Sequence, residues 1–240
     1  MKKTIVTIPT YNENENIQII IGKILSLGIK GLEILVIDDN SPDGTWKTVE
    51  KISKKNKTVH LLLRTKNRGR GYAGRDGFIW ALKHGADYII EMDADLSHDP
   101  KCIPQFLEKI KHSDIVLGSR LTHGGHDARE SIGRKIITRL ANMYIRIVLG
   151  LNIKDCNSGY RCFTRNALEK IKPERIVSQG PQIVQEVLFK ARLNKLKVKE
   201  IPITFKERHI GSSKLNIKQL WKSYIAVLKL KWMHLTGQIE

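Results

Sequence analysis

Cysteine is scarce in this chain of 240 residues. Cys102, Cys156 and Cys162 are an odd number and show no metal-ligand spacing. That excludes a disulfide-stapled scaffold and points to a reducing compartment. Long apolar runs are missing too. No stretch of about 18 uninterrupted apolar residues occurs, so no transmembrane helix is expected. The apolar stretch after Met1-Lys2-Lys3 is too short for a signal peptide. Internal repeats, low-complexity tracts and Pro/Ser-rich linkers are absent. Acids are in short supply: 24 Asp and Glu against 42 Lys and Arg leave a formal net charge of +18. Such an excess says nothing about fold. It implies an anionic partner: nucleic acid, an anionic membrane surface or phosphorylated substrates. What is plentiful is apolar material, 41% of residues. That suffices for a core, excludes disorder, and suits one large domain or two small ones.

Over the first 120 residues, strand and helix signals alternate. Ile- and Val-rich runs at Thr4–Ile8, Leu32–Ile37, Val59–Leu63, Tyr88–Met92 and Asp114–Leu117 read as buried strands. Ile17, Ile20, Ile21, Ile24 and Leu25 follow helical spacing, as do Ile103, Phe106, Leu107 and Ile110 after Pro100. The alternation predicts an α/β fold with a doubly wound, mainly parallel sheet. Beyond Arg120 the apolar spacing from Ile132 to Val148 predicts a long amphipathic helix. Strands follow at Ser158–Thr164 and Leu196–Phe205, with a helix near Gln182–Leu193 between them. A last helix carries Ile217, Leu220, Trp221, Tyr224, Ile225, Leu228 and Trp232.

Ligands of such sheets bind beyond the carboxyl ends of the strands. Those ends read Pro9-Thr10-Tyr11-Asn12-Glu13, Asp38-Asp39-Asn40-Ser41-Pro42-Asp43, Asp93-Ala94-Asp95 and Gly118-Ser119-Arg120. Carboxylates gathered on one edge of a basic protein suggest a bound cation. In extended chain, residues i and i+2 point the same way, so Asp93 and Asp95 would repel without one. Oxygen ligands suit Mg²⁺ or Mn²⁺ bridging to a substrate diphosphate; a capped turn is the plainer account. Asp38-Asp39 allows the same two readings, a capped turn or an acceptor for a nucleobase or ribose, and spacing does not separate them. Gly69-Arg70-Gly71-Tyr72-Ala73-Gly74 matches a dinucleotide fingerprint but follows the third strand instead of the first. A close-packed helix start is the stronger reading. His98, His123, His126 and His209 fit no zinc pattern, and His98 is retained as a neighbour of the metal. Glu186 is weighed as a base, with a structural role on its helix favoured. Residues 206–240 hold seven Lys and Arg against two Glu, and the two Trp of the last helix suit a membrane interface.

Ile8-Pro-Thr-Tyr-Asn-Glu13, Val36-Ile-Asp-Asp39, Ser41-Pro-Asp-Gly-Thr45, Met92-Asp-Ala-Asp-Leu-Ser-His98 and Gly118-Ser-Arg120 resemble the family-two glycosyltransferases of GT-A fold. Within them the chain is most similar to the dolichyl-phosphate (polyprenyl-phosphate) mannose synthases, in the short form without membrane spans. Ser158-Gly-Tyr-Arg161, Glu200-Ile-Pro-Ile-Thr-Phe205 and Gly211-Ser-Ser-Lys214 extend the similarity almost to the end. The resemblance implies a catalytic unit over residues 1–212, with a nucleotide-sugar half 1–120 and an acceptor half 121–212, then an interface helix over 213–240. It implies that Pro9, Tyr11, Glu13, Ile37 and Asp39 line the base and ribose of GDP-mannose. Asp93, Ala94 and Asp95 would meet the nucleotide sugar, and Asp93, Asp95 and Ser97 the divalent metal. Arg120 and Arg134 would bind the phosphate of dolichyl or polyprenyl phosphate, and Arg208 and Lys214 the donor diphosphate. Asp95, Arg120 and Arg134 form the implied catalytic set. Ser97 stands where some relatives carry Gln, and Ile210 where some carry a second Arg.

The implied reaction is a single inverting displacement that yields a lipid-linked mannose. A phosphate monoester, with a second pKa near ~6, is already an anion at neutral pH and needs no general base. Catalysis is then positioning plus charge neutralisation. The helices Ile132–Val148 and Leu215–Met233 are expected to lie in the membrane interface. The protein is thus expected to be cytoplasmic and peripheral at the cytosolic membrane face, with or without a membrane-anchored partner subunit. Transfer from a UDP-sugar is the alternative within the class. A nucleic-acid-binding module is the alternative outside it, disfavoured because the acidic sheet edge would repel phosphate.

Overall fold

The computed structural model of the protein describes residues 2–206 and 217–239, with side chains of the last helix described from residue 224. The chain opens with β1 (Thr4–Thr10), α1 (Asn14–Leu25), β2 (Leu32–Asp38), α2 (Thr45–Lys55), β3 (Val59–Leu63), α3 (Arg70–Lys83) and β4 (Tyr88–Glu91). Next come α4 (Ile103–Lys109), β5 (Ile115–Ser119), β6 (His126–Asp127), α5 (Ile132–Leu149), β7 (Arg161–Thr164) and α6 (Arg165–Ile171). It ends with α7 (Ile183–Leu193), β8 (Val198–Pro202), β9 (Thr204–Phe205) and α8 (Ile217–Leu235). The expected strand Leu196–Phe205 is therefore two short strands that join different sheets.

The main sheet has the order β3-β2-β1-β4-β7-β5-β8, and β6 pairs with β9 beside it. β1 to β4 are parallel, as is the β5–β8 pair. β7 runs antiparallel between β4 and β5. The sheet is mainly parallel, as expected, with one reversed strand inserted from late in the chain.

Period-two alternation sends successive side chains to opposite faces. Val6, Ile8, Ile34 and Val36 pack with Ile17, Ile20, Ile24 and Phe106 of α1 and α4. Ile5, Leu35, Ile37 and Ile89 pack with Phe78 of α3 and with Ile183 and Val187 of α7. Both faces are buried, which is why these strands read as continuous apolar runs. A third cluster joins Leu117, Ile145, Leu149 and Phe189 to Val227, Leu230 and Met233 of α8.

α5 begins at a Ser131 hydroxyl that accepts from the Arg134 N–H, and ends at Gly150 with φ 63°. Its outer face is unlike a solvated one: Ile132, Ile136, Leu140, Met143 and Ile147 are all exposed. Ile225, Leu228, Trp232 and Leu235 repeat this on α8. The two helices touch, and the Tyr144 hydroxyl donates to the Tyr224 carbonyl. No described helix is long and apolar enough to cross a membrane.

Candidate active site

The carboxyl ends of β1 and β2 are laced together. Asp38 accepts from the Thr10 and Ser41 hydroxyls (2.8 and 2.7 Å) and from the Ser41 N–H. Asp43 accepts from the Asn14 N–H and from both the N–H and hydroxyl of Thr45. Burial pulls the Asp43 carboxyl upward, but the bonds from Thr45 and Asn14 outweigh it and hold the group below its ordinary value. The capped-turn reading holds for Asp38 and Asp43.

Asp39 is also spoken for. One oxygen meets Arg64 and the other accepts from the Gly69 N–H at 2.6 Å. Arg64 is buried and spends its remaining donors on Asp76 (2.8 Å) and the Asn67 carbonyl. Asp39 therefore anchors the loop between β3 and α3, and any base or ribose must share an occupied carboxylate. Ile37 departs from its expected role. Its side chain is wholly buried against Gly77 of α3, so only its backbone can face a ligand. Tyr11 is half exposed under Arg68, whose guanidinium carbon lies 5.5 Å from the ring centroid. Pro9 and Glu13 are partly buried beside it, with Glu13 accepting from the Asn16 side chain.

The end of β4 is built differently. The Ser97 hydroxyl donates to Asp95 at 2.5 Å, and its N–H donates to the same oxygen. Leu96, between them, has φ 62°, a left-handed conformation that a β4-end turn imposes on a bulky side chain. Ala94 is buried in the α1-side core and contributes backbone. Asp93 remains 35% exposed, more open than Asp38, Asp39 or Asp95. Its N–H donates to Nδ1 of His98, so that nitrogen carries no proton. Burial lowers the His98 pKa against the pull of Asp93 and Asp95, and the ring stacks on Tyr160. His98 is thus a neutral support behind Asp93. Two carboxylates and a hydroxyl are hard oxygen donors that fit a small divalent cation sharing a substrate diphosphate. Among the described residues no group of three His, Cys, Asp or Glu converges to hold a metal.

Beyond β5, Arg120 makes a bidentate pair with Asp155, Nε and Nη2 each at 2.8 Å, and lies over Phe205. Burial works against its charge, but Asp155 more than compensates and keeps it protonated. The backbone N–H groups of Lys154 and Asp155 are in turn held by Glu200. Arg129 stacks on the same Phe205 and leads into α5, whose first turn carries Arg134. Arg208 and Lys214 lie outside the described residues.

The glycines of the 69–74 motif serve packing. A Cβ at Gly71 would sit 2.1 Å from the Ser178 carbonyl oxygen, and the Gly71 N–H donates to the Gln179 carbonyl. The α3 N-terminus is closed by a protein loop, unlike a dinucleotide site. That loop hangs on Glu186, which accepts from the Val177 and Ser178 N–H groups. Glu186 is structural. Missed by sequence reasoning are Arg64, Arg70, Glu91 and Asp155. Arg70 and Glu91 were visible only as the variable position of a glycine motif and as a polar residue inside an apolar strand.

The profile of Glycosyl transferase family 2 matches residues 5–172. The chain belongs to glycosyl transferase family 2. An undecaprenyl-phosphate mannosyltransferase of Micrococcus luteus is 39% identical to it over 215 residues, 89% of this chain and 88% of that one. A polyprenol monophosphomannose synthase of Mycolicibacterium smegmatis is 37% identical over 90% of this chain and 82% of its own length. A dolichol-phosphate mannosyltransferase of Pyrococcus furiosus is 38% identical over 99% of this chain, which spans 66% of that longer protein. Glucosyl-3-phosphoglycerate synthase of Mycobacterium tuberculosis, solved with Mn²⁺ and UDP, superposes with a TM-score of 0.70 at 16% identity, covering 100% of this chain and 81% of that one. The last comparison establishes the GT-A fold of this family-2 glycosyltransferase.

Proposed function

We propose that this family-2 glycosyltransferase moves mannose from GDP-mannose to a dolichyl or polyprenyl phosphate with inversion, working peripherally at the cytosolic face of a membrane. The observation that carries the reading is a juxtaposition. A hard-oxygen carboxylate pair at the end of β4 shares one sheet edge with a caged arginine at the end of β5, and the chain runs from that arginine into a helix with an exposed apolar face. The named relatives act on lipid phosphates, which suits that combination.

Asp93 and Asp95, with Ser97 fixing the Asp95 rotamer, would hold Mg²⁺ or Mn²⁺, which supplies charge neutralisation to the departing diphosphate. Tyr11 offers a face to the base, and Pro9, Glu13 and Asp39 shape the ribose end. Arg208 and Lys214 are assigned to the donor diphosphate. Arg120, pinned by Asp155, and Arg134 align the acceptor phosphate for attack on the anomeric carbon from the face opposite GDP. The acceptor is already ionised, so no base is assigned. The apolar faces of α5 and α8 would seat the protein where the polyprenyl chain lies. Fully burying one large side chain there contributes roughly 1.5–3 kcal/mol.

The test is transfer of radiolabel to polyprenyl phosphate by purified protein with Mn²⁺, GDP-mannose beside UDP-glucose. Label entering the lipid only from GDP-mannose supports the reading. Transfer from UDP-glucose alone overturns the donor, and transfer that needs an added membrane fraction points to a membrane-anchored partner subunit. Ile136→Ser with Trp232→Ser should release the protein from anionic liposomes and leave GDP binding intact. Unchanged liposome binding removes the interfacial placement.

A further inference from the structure

Beneath the Asp93–Asp95 pair lies a buried charge cluster that the reading above does not use. Arg70 opens α3, and its Nη2 stands 2.8 Å from Glu91 Oε1 and 3.6 Å from Asp93 Oδ1. Glu91 is 2% exposed and Arg70 22%. Glu91 faces Arg161 across the β4–β7 pair. Arg161 is wholly buried, donates to the Ser158 and Val184 carbonyls, and is held down to about 10 by burial, still charged at neutral pH. Two guanidinium nitrogens, Arg70 Nη1 and Arg161 Nη2, are buried without a hydrogen-bond partner. Glu91 Oε1 is likewise buried without a well-aligned hydrogen bond, and the one Arg70 guanidinium stands between two carboxylates, Glu91 and Asp93.

The slot leaves the Arg70 guanidinium little room. A Cβ on Gly74 would lie 3.0 Å from its Nη1 and 3.3 Å from Glu91 Oε1, while a Cβ on Gly159 would rest in ordinary contact with Asp93 and Arg70 Nη2. Gly74 thus lets the guanidinium lie against Glu91.

We propose that Arg70 is a resident counter-cation for Asp93. It holds the carboxylate in the place of a divalent cation, and Glu91 retains its guanidinium when Asp93 takes one. Arg70 is a positioning residue that sets how tightly the open site binds metal. The inference rests on Asp93 and Asp95 being the divalent-cation site.

The experiment is Mn²⁺ titration of the full chain without nucleotide, read from the electron paramagnetic resonance signal of free Mn²⁺, with a thermal melt of each variant. Arg70→Leu removes a competing charge and should tighten Mn²⁺ binding about fivefold, while Glu91→Gln frees Arg70 for Asp93 and should weaken it by about as much. Arg70→Lys should stay near the parent. A merely structural role moves both variants the same way, or neither. Where a single variant does not fold, Arg70→Leu with Glu91→Gln removes the buried charges together and is expected to bind more tightly than Glu91→Gln or the parent. Asp95→Ala separates the two layers. If it abolishes binding and the Arg70 and Glu91 variants show no opposed shifts, the counter-cation role falls alone. If it leaves binding intact, the metal-site reading falls and takes the inference with it.

Discussion

The ends of β2 and β4 each present two aspartates on the same edge of the sheet, yet their surroundings differ. At β2, Asp38 and Asp39 are 0% and 5% exposed and their oxygens are taken up by hydroxyls, backbone N–H groups and Arg64. At β4, Asp95 is braced by Ser97, and Asp93 stays open and shares an arginine with Glu91. The first pair braces the sheet edge, and the second, on the function proposed above, holds the cation, with Asp93 its exposed member and Asp95 buried at 3%. The lesson is that carboxylates at neighbouring strand ends take different roles according to their exposure and to the cation each one faces.

The largest effect is expected at β4. Asp95→Ala should lower kcat/KM by about 10²–10³-fold, the scale of losing one preorganised electrostatic group, with little change in melting temperature. A comparable loss of stability would erase the distinction between the two ends. At β2 the outcome should invert. Asp39→Ala leaves buried Arg64 only Asp76 as a counter-charge and the Gly69 N–H without its acceptor, and should cost about 1–3 kcal/mol of stability, read by urea denaturation. A fully stable variant that has lost only nucleotide affinity would make Asp39 a ligand residue like Asp95. Between them, Gly71→Ala must push aside the Ser178 carbonyl and should cost about 1–3 kcal/mol, with GDP affinity falling as the 176–180 loop shifts. The smallest effect concerns pH. The Asp43 carboxyl is lowered from 3.8, so the stability it contributes is complete above that value and is lost as pH falls below it. Asp43→Asn should flatten the acid limb of the denaturation profile.

The strands and the amphipathic helices were legible because burial imposes a period on the sequence, and β1, β2 and β3 lie where their apolar runs placed them. The Asp93-x-Asp95 pair was legible because its spacing is local. The partners were not. Arg64 lies 25 residues from Asp39 and Asp155 lies 35 from Arg120. Nothing in either segment records the distance across the fold. Arg120 therefore read as a bare clamp, where the structure shows a cation caged by Asp155. Ile37 was expected at the ligand through the family resemblance alone. The alternation of β2 turns it to the other side. The direction of β7 was hidden too, since a short apolar strand has the same pattern in either sense.

That reversed strand also bears on how the molecule comes into being. β7 supplies the neighbours of both β4 and β5, and it is made from residues 161–164. A nascent chain that has emerged only as far as residue 120 has two strands of the future sheet with bare edges where β7 will stand. Pairing across such sequence separation is slow, and open edges invite association with other chains. Synthesis must pass Thr164 before β4 and β5 are joined, so a fragment ending near residue 120 should emerge aggregation-prone however complete its nucleotide-facing motifs.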